Sequence, residues 1–491
     1  MSIHAGPGGT DGAIGADLRQ RLRRALAAIV GDDGVLADAA DLRVYECDGY
    51  TLERHVPSLV ALPRTTDEVA RVVRLAAGMG IAFVPRGAGT GLSGGCLPGE
   101  APLMICTSRM RRIRAIDVAN RRLVAEAGVV NAAVSRAVDA AGLQYVPDPS
   151  SQNACTIGGN VAENSGGPHT LKYGVTTNHV LGVELVLADG EVVELGGAID
   201  DAPGYDLTGV VCGSEGTFGI VTAATLRLEP LPEGVMTMLA VFETVAAATA
   251  TVSRIIAAGI VPAALEMMDR TIVAAVEAAY HAGFPTDAGA VLLIELDGPA
   301  AGLTASAARV DAICRDAGAR SVRTAADEHE RAILWKSRKR AFGAVGRLSP
   351  SYCTQDGVVP RTRLPEILVR IEEIGARHRL RIGNVFHAGD GNIHPIILFD
   401  ERDPDETQRV LAAGREILEA CVALGGSVTG EHGIGVEKIR ELGLTFGPDD
   451  LALMRRLRTA FDPAGRANPG KIFPTAAGCT EQRAPRRQAA L

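Results

Sequence analysis

A chain of 491 residues exceeds what one hydrophobic core holds and implies about two to four domains. Its 47% hydrophobic and 22% charged residues describe a globular protein, and a net charge of −8 argues against nucleic acid as a partner, because phosphate binding needs a basic surface. Nine dispersed cysteines with no C-x-x-C exclude a disulfide framework and the clustered ligands of an iron–sulfur centre, so electrons leaving through such a cluster would need another chain.

The opening MSIHAGPGGTDGAIGA has no basic segment followed by an apolar core, and no apolar run is long enough to span a membrane. The sequence therefore reads as soluble and cytoplasmic, with peripheral attachment at the inner membrane face left open through a partner. LRQRLRRALAAI predicts an amphipathic helix over 17–29. TDEVARVVRLAAGM predicts a second over 66–79, with Thr66 as N-cap, acids in the first turn and Gly80 at its end. A strand from Ile81 to Val84 then enters a glycine-dense loop. From 55 to 230 the chain reads as short strands with Gly-rich turns, and Asp189-Gly190 between two alternating runs signals a hairpin. After Pro230-Leu231-Pro232 strands and helices alternate, which places a boundary near 232 and an α+β sandwich from there to about 330. Helices follow around 327–345, 363–378, 405–424 and 448–461, with the loop-rich strand segments GNVFHAGDGNIHPIILF and GSVTGEHGIG between them. The polar, Ala/Arg-rich end after Phe473 is predicted to be disordered.

Three loops carry most of the glycine. In PRGAGTGLSGG, Gly89, Gly91 and Gly94 satisfy G-x-G-x-x-G, but turn and strand follow where a nicotinamide-binding unit needs a helix. The physical content survives without that unit, since consecutive glycines let backbone N–H groups converge on an anion such as a pyrophosphate. The second loop is Thr156-Ile-Gly-Gly-Asn160 and the third Gly213-Ser-Glu-Gly-Thr-Phe-Gly219. Each alone could be a surface turn; three within one stretch form a specific arrangement.

His387 and His394 flank Ala-Gly-Asp-Gly-Asn, a turn able to bring two imidazoles to one place. Glu431 and His432 sit in GEHGIG, where small neighbours admit a ligand. Two His and a carboxylate suit Zn²⁺ or another first-row divalent ion with positions left open. The same residues read equally as turn caps bonded to backbone carbonyls, and Lys336, Arg338, Lys339 and Arg340 as a solvated helix face.

PRGAGTGLSGG, DPSSQNACTIGGNVAENSGG, LKYGV and GSEGTFGIVT together resemble the FAD-binding domain of the vanillyl-alcohol oxidase/p-cresol methylhydroxylase (PCMH) superfamily. GRLSPSYCTQDGVVPR, NVFHAGDGNIHP, SVTGEHGIG and NPGKIF are similar to its D-2-hydroxy-acid dehydrogenase branch, to which glycolate oxidase flavoprotein subunits belong. The resemblance spans about 40–474 and implies an α+β protein. A tail and helices would occupy 1–54, and a two-part PCMH-type FAD-binding domain 55–232. A ferredoxin-like α/β-sandwich substrate (cap) domain with a C-terminal helical segment would fill 233–474, and a disordered tail 475–491.

It further implies that Arg86, Gly87, Ala88, Gly89, Thr90, Gly91 and Ser93 wrap the FAD pyrophosphate. Asp148, Pro149, Ser150, Thr156, Gly158, Gly159, Asn160, Glu163 and Asn164 would flank the flavin, with Gly216, Gly219, Ile220 and Val221 near adenine and ribose. Pro85, Gly94, Gly167, Tyr173, Gly174, Val175 and Glu215 complete the cofactor set. Asn468 would approach the flavin, unless NPGK is only a C-terminal turn. With no His in the first loop, FAD is expected to be non-covalent and Cys155 a packing residue. By the same resemblance His387, His394 and Glu431 would bind a divalent metal, Zn²⁺ or Mn²⁺. His432 would be the base and Arg338 would grip the substrate carboxylate, with hydride passing from Cα to flavin N5. Dicarboxylate-specific relatives carry a second cation just before the residue matching Asp356; here the run is Tyr352-Cys-Thr-Gln-Asp, which favours glycolate or D-lactate over 2-hydroxyglutarate. The implied partners are a second FAD-domain subunit and an iron–sulfur subunit. The alternatives are a stand-alone D-lactate or D-2-hydroxyglutarate dehydrogenase using cytochrome or quinone, and a non-catalytic flavin-binding assembly subunit.

Overall fold

A computed structural model describes residues 14–99, 101–199 and 203–473; the Gly-rich start over 1–13 and the tail over 475–491 lie outside the described residues. The helix expected at 66–79 spans Thr66–Gly78, and its cap is Thr65 rather than Thr66. Thr65 is extended and its hydroxyl accepts from Glu68 N at 3.2 Å, which satisfies a first-turn N–H that has no helical partner. The strand expected at 81–84 starts later, at Phe83, because Ile81 N is still donating to Ala76 O at 2.8 Å to close the helix.

Strands β1 (Val35–Leu36), β2 (Leu59–Ala61), β3 (Phe83–Arg86) and β4 (Leu103–Cys106) form a sheet in the order β1-β2-β4-β3, so the sheet reaches back into the segment read as tail and helices. A second, antiparallel sheet takes β5 (Ile113–Asp117), β6 (Arg122–Glu126), β8 (Val180–Val186), β9 (Val192–Gly196) and β10 (Ile220–Arg227) in the order β5-β6-β10-β8-β9. Between them in sequence, β7 (Leu143–Gln144) pairs with β11 (Glu229–Pro230). The Asp189-Gly190 hairpin joins β8 to β9. Gly190 has φ +89°, and a Cβ there would stand 2.7 Å from Ala70 O.

Beyond residue 233 lies one large sheet. It comprises β12 (Gly234–Phe242), β13 (Ala264–Asp269), β14 (Ala290–Gly298), β15 (Ser321–Thr324), β16 (Ser351–Thr354), β18 (Arg381–His387) and β19 (Asn392–Phe399), with β17 (Gly357–Val358) paired to β19. The order is β15-β12-β14-β13-β18-β19-β16. The sandwich expected to end near 330 therefore continues: β18 pairs with β13 through Glu266↔His387, and the strand segments of the last third extend the same sheet. Alternation along the strands separates two cores. Met238, Ala240, Phe242, Leu265, Met267 and Ile397 pack under the helices Val245–Ala257, Ala300–Asp316, Leu364–His378 and Pro404–Ala423. Leu239, Val241, Ala264, Met268, Val385 and Ile396 pack on the opposite side with the helices Arg270–Tyr280 and Glu328–Lys339. Glu266, Glu295, His387 and His394 fall in phase with that second set and share its face.

That face meets the N-terminal half across a clasp. His169 Nδ1 is 2.9 Å from Asp148 Oδ2 and its Nε2 is 3.2 Å from Glu295 Oε1, while its ring stacks on Trp335 at 5.3 Å. Lys339 Nζ donates to Asp148 at 2.8 Å, and Arg331 and Trp335 donate to Glu295. Burial opposes a proton on His169, but Asp148 and Glu295 raise it to about 10; burial likewise opposes charge on Glu295, which His169 and Arg331 hold down at about 2. Among the described residues no helix is long and apolar enough to cross a membrane.

Candidate active site

The β18–β19 hairpin presents His387 at its tip and His394 two pairs along, since Val385 faces His394 and His387 faces Asn392. The tight turn between them depends on Gly391 (φ +84°), where a Cβ would stand 2.1 Å from Val359 O. His387 Nε2 is 3.2 Å and His394 Nε2 3.3 Å from the same atom, Glu431 Oε1. The ligand atoms of these three residues lie within 4.8 Å of one another. Burial disfavours charge on both partners, yet Glu266 and Glu431 raise the His387 imidazole well above its usual value, and the two histidines hold Glu431 well below the carboxylate range. His394 Nδ1 is buried without a hydrogen bond. Two imidazoles and a carboxylate converging on one point, in a buried setting, fit a divalent cation.

Glu431 and His432 are held by a residue that the sequence marked only as a reference point. Asp356 is fully buried, and its carboxylate accepts from Thr429 Oγ1 (2.7 Å), Gly430 N (2.9 Å), Glu431 N (3.2 Å) and His432 N (2.9 Å). Asn392 Nδ2 and Lys438 Nζ also donate to it. Burial would raise the Asp356 carboxyl, but His432 and Lys438 hold it far down, so it stays ionised and pins the loop. The His432 ring lies parallel to that of His394, 5.0 Å away, with Nδ1 buried and unpartnered. Burial lowers His432 to about 4, against the pull of Asp356, so its imidazole is neutral at neutral pH.

Arg338 occupies the last turn of Glu328–Lys339 and is 1% exposed, which removes it from the solvated face formed by Lys336 and Arg340. Its Nη2 is ion-paired with Glu266, and its Nε and Nη1 are buried without a partner. Glu266, 1% exposed, also stands 2.8 Å from His387 Nδ1. It is an acid between apolar neighbours in the strand ALEMMD, whose other acid, Asp269, ends the strand, and that was the signal available in the sequence.

The glycine loops border a cleft lined by Pro85, Arg86, Gly87, Gly158, Gly159, Glu163, Glu215, Gly216, Gly219, Ile220 and Val221 of the expected cofactor set. Gly95, Cys96, Thr107, Ala162 and Ser214 line it too and were not foreseen. A Cβ on Gly87 would stand 2.4 Å from Thr156 Oγ1 and one on Gly158 2.7 Å from Ala127 Cβ, so the cradle walls are packed too closely for a side chain at either position. Thr156 Oγ1, Glu163 Oε2 and Asn468 Oδ1 are buried with no partner, polar atoms that a polar ligand would satisfy. The cradle fits a dinucleotide such as FAD.

Other expected residues are placed differently. Ala88, Gly89, Thr90, Gly91, Ser93 and Gly94 do not line this cleft, and the Arg86 guanidinium turns toward Cys47 O (2.9 Å) and the Tyr45 ring (5.4 Å). Ser93 Oγ donates to His432 O at 2.8 Å. Asp148 joins the clasp with Pro149 and Ser150 beside it, and Gly167 packs against the Asp148 carbonyl. Tyr173, next to Gly174 and Val175, donates to Asp297. Asn160 Oδ1 accepts from Asn131 Nδ2 at 3.0 Å and Asn164 Oδ1 from Thr177 N at 2.9 Å, both contacts within the N-terminal half. Asn468 Nδ2 donates to Gly95 O (2.8 Å) and Glu215 O (2.6 Å), directly behind the cleft. Cleft and cluster adjoin: Glu215 accepts from Ile434 N and Gly435 N, and a Cβ on Gly166 would stand 2.7 Å from Glu431 Oε2.

Residues 57–196 match the family model described as FAD binding domain, and 231–472 match FAD linked oxidases, C-terminal domain. The chain is 45% identical over 471 residues to glycolate oxidase subunit GlcD of Escherichia coli (strain K12), covering 96% of this chain and 94% of that protein. It is 41% identical over 453 residues to glycolate oxidase subunit GlcD of Bacillus subtilis (strain 168), covering 92% and 96%. The solved structure of p-cresol methylhydroxylase with substrate bound superposes with a TM-score of 0.76 at 17% identity, covering 94% of this chain and 98% of that one, a likeness of fold alone.

Proposed function

This chain belongs to the FAD-linked oxidases that act on 2-hydroxy acids, and from that premise we propose that it oxidises glycolate or D-lactate to glyoxylate or pyruvate. The observation that carries this reading is the meeting of His387, His394, Glu431 and His432 with a buried Arg338 whose Nε and Nη1 lack partners, next to the glycine-lined cleft. Arg338 binds the substrate carboxylate through guanidinium N–H groups that the Glu266 contact leaves open. His432 accepts the hydroxyl proton at Nδ1, the buried nitrogen with no partner. His387, His394 and Glu431 hold a divalent metal, Zn²⁺ or Mn²⁺, which supplies positive charge for the oxygen losing that proton. The glycine loops hold FAD without a covalent bond, and FAD supplies the acceptor for the Cα hydrogen as hydride.

Between Ser351 and Val359 there is no Lys or Arg, so a second carboxylate on the substrate would find no counter-ion there, which favours small monocarboxylates. Relatives named as oxidase subunits and the absence of clustered cysteines support a place in a cytoplasmic assembly with a second FAD-domain subunit and an iron–sulfur subunit, with any membrane contact made by the partners. The test is anaerobic. FAD- and Mn²⁺-loaded protein is mixed with D-lactate, glycolate or 2-hydroxyglutarate, and the visible flavin absorbance is followed. Rapid bleaching by D-lactate or glycolate is expected. Bleaching by none of the three overturns the reading, and fastest bleaching by 2-hydroxyglutarate overturns the substrate choice.

A further inference from the structure

We propose that Glu266 is a positioning residue that sets Arg338 and His387 together through one carboxylate, so that the grip on the substrate and the binding of the metal are built as a single unit. The inference rests on the function proposed above and adds to it the device that couples its two binding elements.

Glu266 lies in the interior strand β13, between β14 and β18, and is 1% exposed. Its in-phase neighbours Ala264 and Met268 are apolar, so the carboxylate has no solvent to stabilise its charge. It has two partners instead, one on each oxygen. Oε1 stands 2.8 Å from His387 Nδ1, directly across the strand pair, and Oε2 is ion-paired with Arg338 Nη2. The consequences differ at the two ends. At His387 a carboxylate against Nδ1 favours a proton there, which leaves Nε2, 3.2 Å from Glu431 Oε1, able to give its lone pair to a cation shared with that oxygen. At Arg338 the contact occupies Nη2 and leaves Nε and Nη1 buried without a hydrogen bond, and among the described residues no other ion pair holds the guanidinium. A free arginine on a helix end would swing among rotamers; one anchored at a single nitrogen presents its remaining N–H groups in fixed directions. Neither end is a contact of Glu266 with the reacting atoms, so its role is exerted through the two residues it holds.

The test compares the parent protein with Glu266→Gln, each loaded with FAD and matched in FAD content and melting midpoint. Mn²⁺ affinity is read from the free-ion EPR signal in a titration. Binding of oxalate, a carboxylate mimic of the acid, is read from the perturbation of the flavin spectrum. Glu266→Gln is expected to weaken Mn²⁺ binding by about 10–100-fold and oxalate binding by about tenfold or more. A variant that loses only one of the two affinities, or neither, overturns the shared role. A parent that binds no Mn²⁺ overturns the metal reading and this inference with it, whereas a parent that binds Mn²⁺ no better than the variant overturns the inference alone. If Glu266→Gln does not fold, Glu266→Asp replaces it: the shorter carboxylate cannot span both partners, so at least one affinity falls by about tenfold, and an Asp variant with both at parental values overturns the proposal.

Discussion

Two histidines meet at one face of the large sheet, His387 from its own strand and His169 from the N-terminal half; each stands between two carboxylates, and they end in opposite conditions. Around His169 the valences are closed. Both ring nitrogens face carboxylates, Lys339 and Arg331 complete the charge, Trp335 covers the ring, and only Asp148 Oδ1 lacks a partner. Around His387 they are left open: Arg338 Nε and Nη1, His394 Nδ1 and His432 Nδ1 are all buried without a hydrogen bond. Buried polar atoms without partners are costly, and a fold keeps them where a ligand completes the set. The closed cluster therefore joins the halves, and the open one is where we propose that substrate and metal bind.

Substitutions should divide along that line. The largest effect is expected from His432→Ala, which should slow flavin reduction by about 10²–10⁴-fold while FAD content and melting temperature hold. Stopped-flow bleaching reads it, and a parental rate would remove His432 from the chemistry. Arg338→Met should come next, lowering kcat/KM by the equivalent of about 2–5 kcal/mol, since it takes a charged donor pair from the substrate carboxylate. Unchanged kcat/KM across the acid panel would show that the unpaired nitrogens serve no substrate.

His169→Ala should act the other way round, costing about 1–3 kcal/mol of stability and only indirectly touching the rate. Its effect should carry a pH signature. His169 is raised to about 10 in the fold against an ordinary value near 6.5, so its contribution is full below about 6.5 and is lost as pH rises through about 10. The parent should lose melting temperature across that window more steeply than His169→Ala. Parallel melting profiles for the two proteins would detach the clasp from the histidine charge.

Part of this division was legible in the sequence. The loops that line the cleft were visible as glycine clusters, and His387, His394, Glu431 and His432 stood out because they crowd two glycine-bracketed segments. Glu266, Asp356 and the clasp did not stand out. Glu266 is 121 residues from His387, and Asp356 is 76 from His432, the loop residue it holds. An acid between apolar neighbours in a strand signals only that a partner exists, not which one. Arg86 shows the converse error, because its place in a phosphate-type loop said nothing of a guanidinium that folds back onto Tyr45 and Cys47.

What the sequence determined by itself was local and periodic: the Asp189-Gly190 hairpin, the existence of the helix over about 66–79, the alternation that splits each strand of the large sheet into two faces, and the glycine that lets backbones converge. These follow from dihedral preference, capping and side-chain period, which act over a few residues. Only the tertiary structure decided which faces meet. Strand register, set by burying one apolar face against the helices, brought Glu266 opposite His387 and left Arg338 with two free donors; a slip of one residue in β13 would have turned that carboxylate into the other core.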